Sequence, residues 1–135
     1  MAAALCPGYT EMSMSKILKT RYVLAVQDLA KSVDYYKSKL GFESIWDDGA
    51  GWHCLGRQGF EVMLGECADD RSAFELKNHS YFAYINVEGV DDLHEELASK
   101  GVNIMHRLAS KPWGQREFGI TTIDGHRIMF GETMK

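Results

Sequence analysis

The side chains that most often act as nucleophiles or metal ligands are scattered along this 135-residue sequence. No two of its five histidines are two or four residues apart, the spacings that place imidazoles on one face of a strand or a helix. There is no G-x-S-x-G segment for a serine nucleophile. Cys54 follows His53 directly, but neighbouring residues of a strand point to opposite faces. These patterns predict no catalytic nucleophile.

An eight-residue segment occurs twice and indicates how the chain is built. Residues 59–66 read GFEVMLGE and residues 125–132 read GHRIMFGE. A β-like run ending in valine, a helical stretch and a glycine precede each copy in the same order. We interpret this as a duplicated β-α-β-β-β unit, with modules at about residues 17–67 and 79–133.

The two predicted helices have apolar residues at helical spacing and end at glycine. The first spans residues 29–40, between the candidate N-cap Asp28 and Gly41. The second spans residues 90–97 and is followed by Gly101. The predicted fold class is therefore α+β: two tandem β-α-β-β-β modules that form a curved mixed sheet around a concave trough, with helices behind it.

Alternation along the repeated strands predicts which side chains face the trough. Val62 and Leu64 in the first copy, and Ile128 and Phe130 in the second, are aliphatic or aromatic and suit packing against helices. This leaves the faces of Met63 and Met129 for the concave side. The same alternation places Arg21 beside Val23 on the first strand. It places Phe82, Tyr84 and Asn86 together on the opening strand of the second module.

Composition limits the function classes. Hydrophobic residues make up 45% of the chain and charged residues 25%, which is typical of one soluble globular domain. We predict that this domain spans residues 17–135 and follows an N-terminal extension at residues 1–16. A net charge of -4 without a basic run argues against nucleic acid or an anionic membrane as partner. Three cysteines without C-x-x-C spacing predict neither disulfides nor a zinc site, and we expect a cytoplasmic protein.

Two segments resemble a known family. VLAVQDLAKSVDYYKSKLGF near the start and PWGQREFGITTIDGHRIMFGE near the end are similar to the glyoxalase/bleomycin-resistance/dioxygenase group, the vicinal oxygen chelate superfamily. The likeness covers about residues 17–132 and is strongest to bleomycin-resistance-like members. It implies a homodimer whose sites lie at the subunit boundary.

The resemblance also marks four positions at which metal-dependent members carry His, Glu or Gln. Here they are Arg21, Met63, Phe82 and Met129. A guanidinium has no lone pair to donate, a phenyl ring has no donor atom, and a thioether is too soft for the usual divalent ions. We therefore expect no metal and no other cofactor.

The leading hypothesis is a metal-free binding protein that sequesters a small hydrophobic or aromatic molecule, for which a cationic group would suit the acidic chain. The alternatives are a metal-dependent lyase, isomerase, dioxygenase or thiol transferase with a non-standard ligand set, and an interaction module without a small ligand. Arg21 either pairs with Glu61 or holds an anionic ligand. The candidate ligand-binding residues are Arg21, Trp46, Trp52, Glu61, Met63, Phe82, Tyr84, Trp113, Arg116 and Met129.

Overall fold

The computed structural model describes residue 15, residues 18–75 and residues 81–135. The rest of the predicted extension, and His79 at the start of the predicted second module, lie outside the described residues. The elements are β1 (Tyr22–Val26), α1 (Leu29–Ser38), β2 (Glu43–Asp47), β3 (Trp52–Arg57), β4 (Phe60–Glu66), a short 3₁₀ helix (Ala73–Glu75), β5 (Tyr81–Asn86), α2 (Val90–Ser99), β6 (Asn103–Ser110), β7 (Gln115–Thr121) and β8 (Arg127–Thr133).

The duplicated β-α-β-β-β unit and the α+β fold are confirmed. Strands β1 to β4 form sheet A in the order β1-β4-β3-β2, and strands β5 to β8 form sheet B in the order β5-β8-β7-β6. In both sheets the first and last strands of the module run parallel, and the other pairs are antiparallel. The strands thus form two mixed sheets of the same design.

The helix ends follow the predicted signals. The Asp28 carboxylate accepts a hydrogen bond from the Lys31 amide at 3.1 Å, so Asp28 is the N-cap of α1. Gly41 and Gly101 both adopt the left-handed conformation, with φ of 74° and 80°. Each helix therefore stops where a residue without Cβ allows the chain to turn back to its sheet.

The glutamate that closes each copy of the repeat has a structural task. Glu66 accepts a hydrogen bond from the Leu29 amide at 2.9 Å, at the first turn of α1. Glu132 accepts from the amides of Gly89 and Val90 at the start of α2, at 3.2 and 3.0 Å. A carboxylate is favourable there because unpaired amides and the helix dipole make that end positive. The repeated glutamate thus fixes helix to sheet in both modules.

One hydrophobic core joins the modules on the helix-covered side of the sheets. The ring of Phe82 in β5 lies 5.5 Å from Tyr22 in β1 and 6.5 Å from Phe60 in β4. The Ser32 hydroxyl donates to Asp124 at 2.9 Å, and so links α1 to the β7–β8 turn. The opposite face of each sheet, here called its open face, is covered by neither of the two α-helices of the described residues.

No helix among the described residues is long and apolar enough to cross a membrane.

Candidate functional site

The open face of sheet A carries the predicted residues of the first module. The register places Val23, Met63, Cys54 and Trp46 side by side across β1, β4, β3 and β2. The Trp52 ring covers Gly65, where an added Cβ would lie 2.7 Å from the ring. The candidate residues Trp46 and Trp52 therefore share this face with Met63, which alternation places there.

The charges at the edge of this face satisfy one another. Glu61 accepts hydrogen bonds from Arg21 Nε at 2.7 Å and from Lys19 Nζ at 3.2 Å, so both of its oxygens are engaged. The bond from Arg21, then that from Lys19, holds the pKa of Glu61 below its ordinary value. The structure therefore shows the internal pair and not a guanidinium free for an anionic ligand.

The open face of sheet B has the same plan with different polar groups. Tyr84 lies beside Met129, which in turn lies beside Gly119 of β7. The Tyr84 ring covers Gly131, where an added Cβ would lie 2.7 Å from Cζ of the tyrosine. Gly131 is thus the counterpart of Gly65, since both glycines leave room for an aromatic ring on the open face.

A carboxylate absent from the predicted site lies at the centre of this second face. Glu117 in β7 is only 7% exposed, and its Oε1 accepts hydrogen bonds from the Tyr84 hydroxyl at 2.9 Å and from Nε1 of Trp113 at 3.2 Å. Loss of solvent, followed by the bond to Glu117, raises the pKa of Tyr84 to about 12, so the phenol remains a donor at neutral pH. Alternation from the apolar Phe118 was the signal that could have placed Glu117 here.

Two predicted site residues lie elsewhere. A register shift between Tyr81 and Ala83 in the β5–β8 ladder turns Phe82 to the core side, where it packs against Tyr22 and not beside Tyr84. Arg116 points away from the open face and binds Asp91 of α2, with Nε 2.6 Å from the carboxylate. Alternation is therefore wrong in grouping Phe82 with Tyr84, and the candidate residue Arg116 lies on the helix-covered side.

The four positions of the family's metal ligands do not fit a divalent ion. Arg21 is bonded to Glu61, Phe82 lies among core rings, and Met63 and Met129 offer only thioethers. Among the described residues, no group of three or more His, Cys, Asp and Glu side chains is arranged to hold a metal ion.

Cys54 does not have the environment of an activated thiol. Its side chain is buried on the open side of sheet A, and burial raises its pKa, which lowers the thiolate fraction at neutral pH.

A cavity of about 850 Å³ lies between the modules, away from the open faces. The apolar side chains of Leu40, Phe60 and Phe130 line part of this cavity. Its other lining residues include Asp92 and the ion pair of Arg57 and Glu96, in which Nη1 of Arg57 lies 2.9 Å from a carboxylate oxygen of Glu96. No tryptophan lines it.

Paired β-α-β-β-β modules with two open sheet faces define a class of fold, and the sequence comparison identifies the family. A family model described as Glyoxalase/Bleomycin resistance protein/Dioxygenase superfamily matches residues 20–130. The chain belongs to this superfamily.

Two similar proteins have names that refer to bleomycin, and a third shares the fold. A bleomycin resistance protein of Geobacillus stearothermophilus is 26% identical over 134 residues, which cover 88% of this chain and 99% of the relative. A bleomycin-binding protein from Streptomyces verticillus is 25% identical in sequence, and its crystal structure contains copper(II)-bleomycin. The two structures align with a TM-score of 0.67 over 90% of this chain and 99% of that one. TioX from Micromonospora sp. ML1, at 22% identity and a TM-score of 0.72 over 87% of this chain and 99% of that one, has the same fold.

Proposed function

We propose that this protein binds and sequesters a small hydrophobic or aromatic molecule without a metal. One observation carries the proposal: Trp113, Tyr84 and Trp52 remain 64%, 43% and 38% exposed on the sheet B and sheet A sides that no helix covers. Exposed aromatic rings next to flexible methionines provide large, adaptable area for stacking against a planar molecule. The family's metal positions hold side chains that do not suit a divalent ion, so binding is favoured over metal-assisted chemistry.

The relatives support the class of ligand. The Streptomyces protein binds a copper complex of bleomycin, according to its description, and the curated relative is named for resistance to the same compound. Bleomycin and other planar aromatic compounds are therefore the first ligands to test. Resistance by sequestration requires only tight binding, which agrees with the absence of an activated nucleophile among the described residues.

The open faces also support a homodimer as the binding species. The open face of sheet A exposes the apolar side chains of Val23 and Ile45, and that of sheet B exposes the rings of Tyr84 and Trp113. A second copy that covered these side chains would turn each surface into one wall of a trough. Sedimentation velocity should show a particle of twice the chain mass, and a monomer at micromolar concentration would contradict this part of the proposal.

We also place the protein in a reducing compartment, the cytoplasm. Cys54 and Cys67, the two cysteines of the described residues, are free thiols, and Cys54 is buried. Secreted domains of this size commonly use their cysteines in disulfides.

Isothermal titration calorimetry against a panel tests the proposal. The panel contains metal-free bleomycin, other glycopeptide antibiotics and simple planar aromatics, each in buffer with an excess of chelator. Stoichiometric binding of at least one compound in the presence of the chelator is the expected result. No heat of binding across the panel, or binding only after a divalent ion is added, would contradict metal-free sequestration.

A further inference from the structure

Glu117 is an unusual carboxylate because it is buried without a cation. It is 93% inaccessible, and the ion pairs found among the described residues do not include it. Both of its recorded hydrogen bonds, from Tyr84 and Trp113, go to Oε1. Removing a carboxylate from water costs several kcal/mol unless charges or donors compensate. Both donors share Oε1, so Oε2 keeps its capacity to accept, and the pairing of Glu117 with Gly131 places the side chain on the open face.

The surroundings of Glu117 already favour a cation. Lys111 places its ammonium 5.8 Å from the centroid of the Trp113 ring, within the range of a cation–π contact. The Trp113 ring, whose Nε1 is bonded to Glu117, therefore attracts positive charge on one face. The Tyr84 hydroxyl donates to the same carboxylate oxygen, and the Tyr84 ring covers Gly131. Two aromatic rings and one carboxylate are the groups that commonly recognise an organic cation.

The other cation on this face belongs to a different row of the sheet. Arg127 pairs with Thr121, whereas Glu117 pairs with Gly131. Four residues of β8 separate the two rows, or about 13 Å along the strand. Arg127 takes part in interactions of its own.

We infer that Glu117 binds a positively charged group of the ligand, while Trp113 and Tyr84 stack against the planar part to which that group is attached. The inference rests on the proposed function and specifies its ligand class: a planar aromatic with a protonated amine or amidinium on or next to the ring. Sheet A cannot take this part, because Glu61 already binds Arg21 and Lys19.

A pair of probes that share one ring system isolates the effect of charge. The 9-aminoacridine cation and neutral acridine, both near neutral pH, are titrated by calorimetry into the full chain and into Glu117→Gln. The glutamine keeps the size of the side chain and an oxygen that accepts from Tyr84 and Trp113. Glu95→Gln is the matched control, because Glu95 is exposed on α2 and its loss changes the net charge equally.

The wild-type chain should bind the cation about tenfold or more tightly than acridine, as expected for a buried charge-assisted contact. Glu117→Gln should reduce this ratio toward one while acridine affinity stays within about twofold, and Glu95→Gln should leave the ratio unchanged. Equal affinity of the wild-type chain for the two probes overturns the inference alone, and this outcome does not depend on whether Glu117→Gln folds. A folded Glu117→Gln that keeps the wild-type ratio of the two affinities also overturns the inference alone. If the wild-type chain binds neither probe but binds another compound of the panel, the inference alone is overturned. If it binds no compound of the panel and neither probe, the inference and the proposed function are overturned together.

Discussion

The open faces of sheets A and B share one frame but differ in their polar groups. Met63 and Met129 occupy equivalent places, and Gly65 and Gly131 each lie beneath an aromatic ring. On sheet A the carboxylate of Glu61 is bonded to two cations of the same chain. On sheet B the carboxylate is the buried Glu117, held by neutral donors alone.

The difference shows that a duplicated module can keep the residues that maintain its fold while the charged groups on its open face change. The repeated glycines and glutamates maintain the backbone and the helix attachments in both modules, because their roles are geometric. The charged groups on the open faces are free to diverge. Sheet A therefore presents apolar and aromatic area with its charges neutralised, and sheet B presents aromatic area around an acceptor.

The largest difference between the two sheets is expected when Gly131 and Gly65, the glycines beneath the aromatic rings, are each replaced by alanine and the loss of stability is compared. Gly131→Ala should destabilise the fold by about 1–3 kcal/mol, because the Tyr84 ring must move and lose its bond to Glu117. Gly65→Ala should cost less, because the Trp52 ring can move without breaking a bond like the one from Tyr84 to Glu117. Urea denaturation of both variants measures the difference. Equal losses would show that the two rings are held equally firmly.

Truncation of Trp113 should separate binding from folding. Trp113→Ala should weaken binding of a planar ligand about tenfold, equal to about 1.4 kcal/mol, because the ring supplies stacking area and helps to hold Glu117. The melting temperature should change little, since the side chain is largely exposed. Calorimetric titration and thermal denaturation test the two halves. A large loss of stability with unchanged affinity would assign Trp113 to the core instead.

The ion pair on sheet A should appear as a dependence of stability on pH. The bonds to Arg21 and Lys19 lower the pKa of Glu61 in the folded chain below its ordinary value of 4.5. The ion pair therefore stabilises the fold at pH values above 4.5, and this stabilisation is lost as the pH falls through the pKa of Glu61 in the folded chain. Glu61→Gln should melt at a lower temperature than wild type at neutral pH, and the difference should shrink in acid and at high salt. A difference that stays constant across the acid range would contradict the pair as its cause.

The smallest effect is expected at Arg116. Its guanidinium binds Asp91 on the helix-covered side. Arg116→Gln should therefore leave ligand affinity within about twofold of wild type, a change below 0.5 kcal/mol. A clear loss of affinity by calorimetry would return Arg116 to the ligand site.

Local signals in the sequence explain most of the fold. The repeated GFEVMLGE and GHRIMFGE segments predicted the duplication, and Asp28 and Gly41 predicted the ends of α1, because capping depends on a few neighbouring residues. Alternation correctly placed Met63 and Met129. These features require no knowledge of distant contacts.

The parts that failed depend on the partner strand. Alternation within β5 puts Phe82 with Tyr84, and only the shift in pairing with β8 turns Phe82 into the core. The burial of Glu117 arises from Tyr84 and Trp113, which are 33 and 4 residues away in the chain, so its surroundings do not follow from the local sequence. Alternation with Phe118 already gives the side on which Arg116 lies, whereas its ion pair with Asp91 depends on the position of α2.

NMR of the three indole N–H groups tests most directly that the ligand binds on the open faces. Trp46, Trp52 and Trp113 all belong to the two faces, whereas the cavity between the modules contains no tryptophan. Each resonance is assigned by its loss in a Trp→Phe variant, and the chain is then titrated with the ligand that binds most tightly in the panel. The account predicts that the Trp113 resonance shifts in proportion to occupancy. Saturating ligand that leaves all three indole resonances unmoved would contradict it and would place binding in the cavity between the modules.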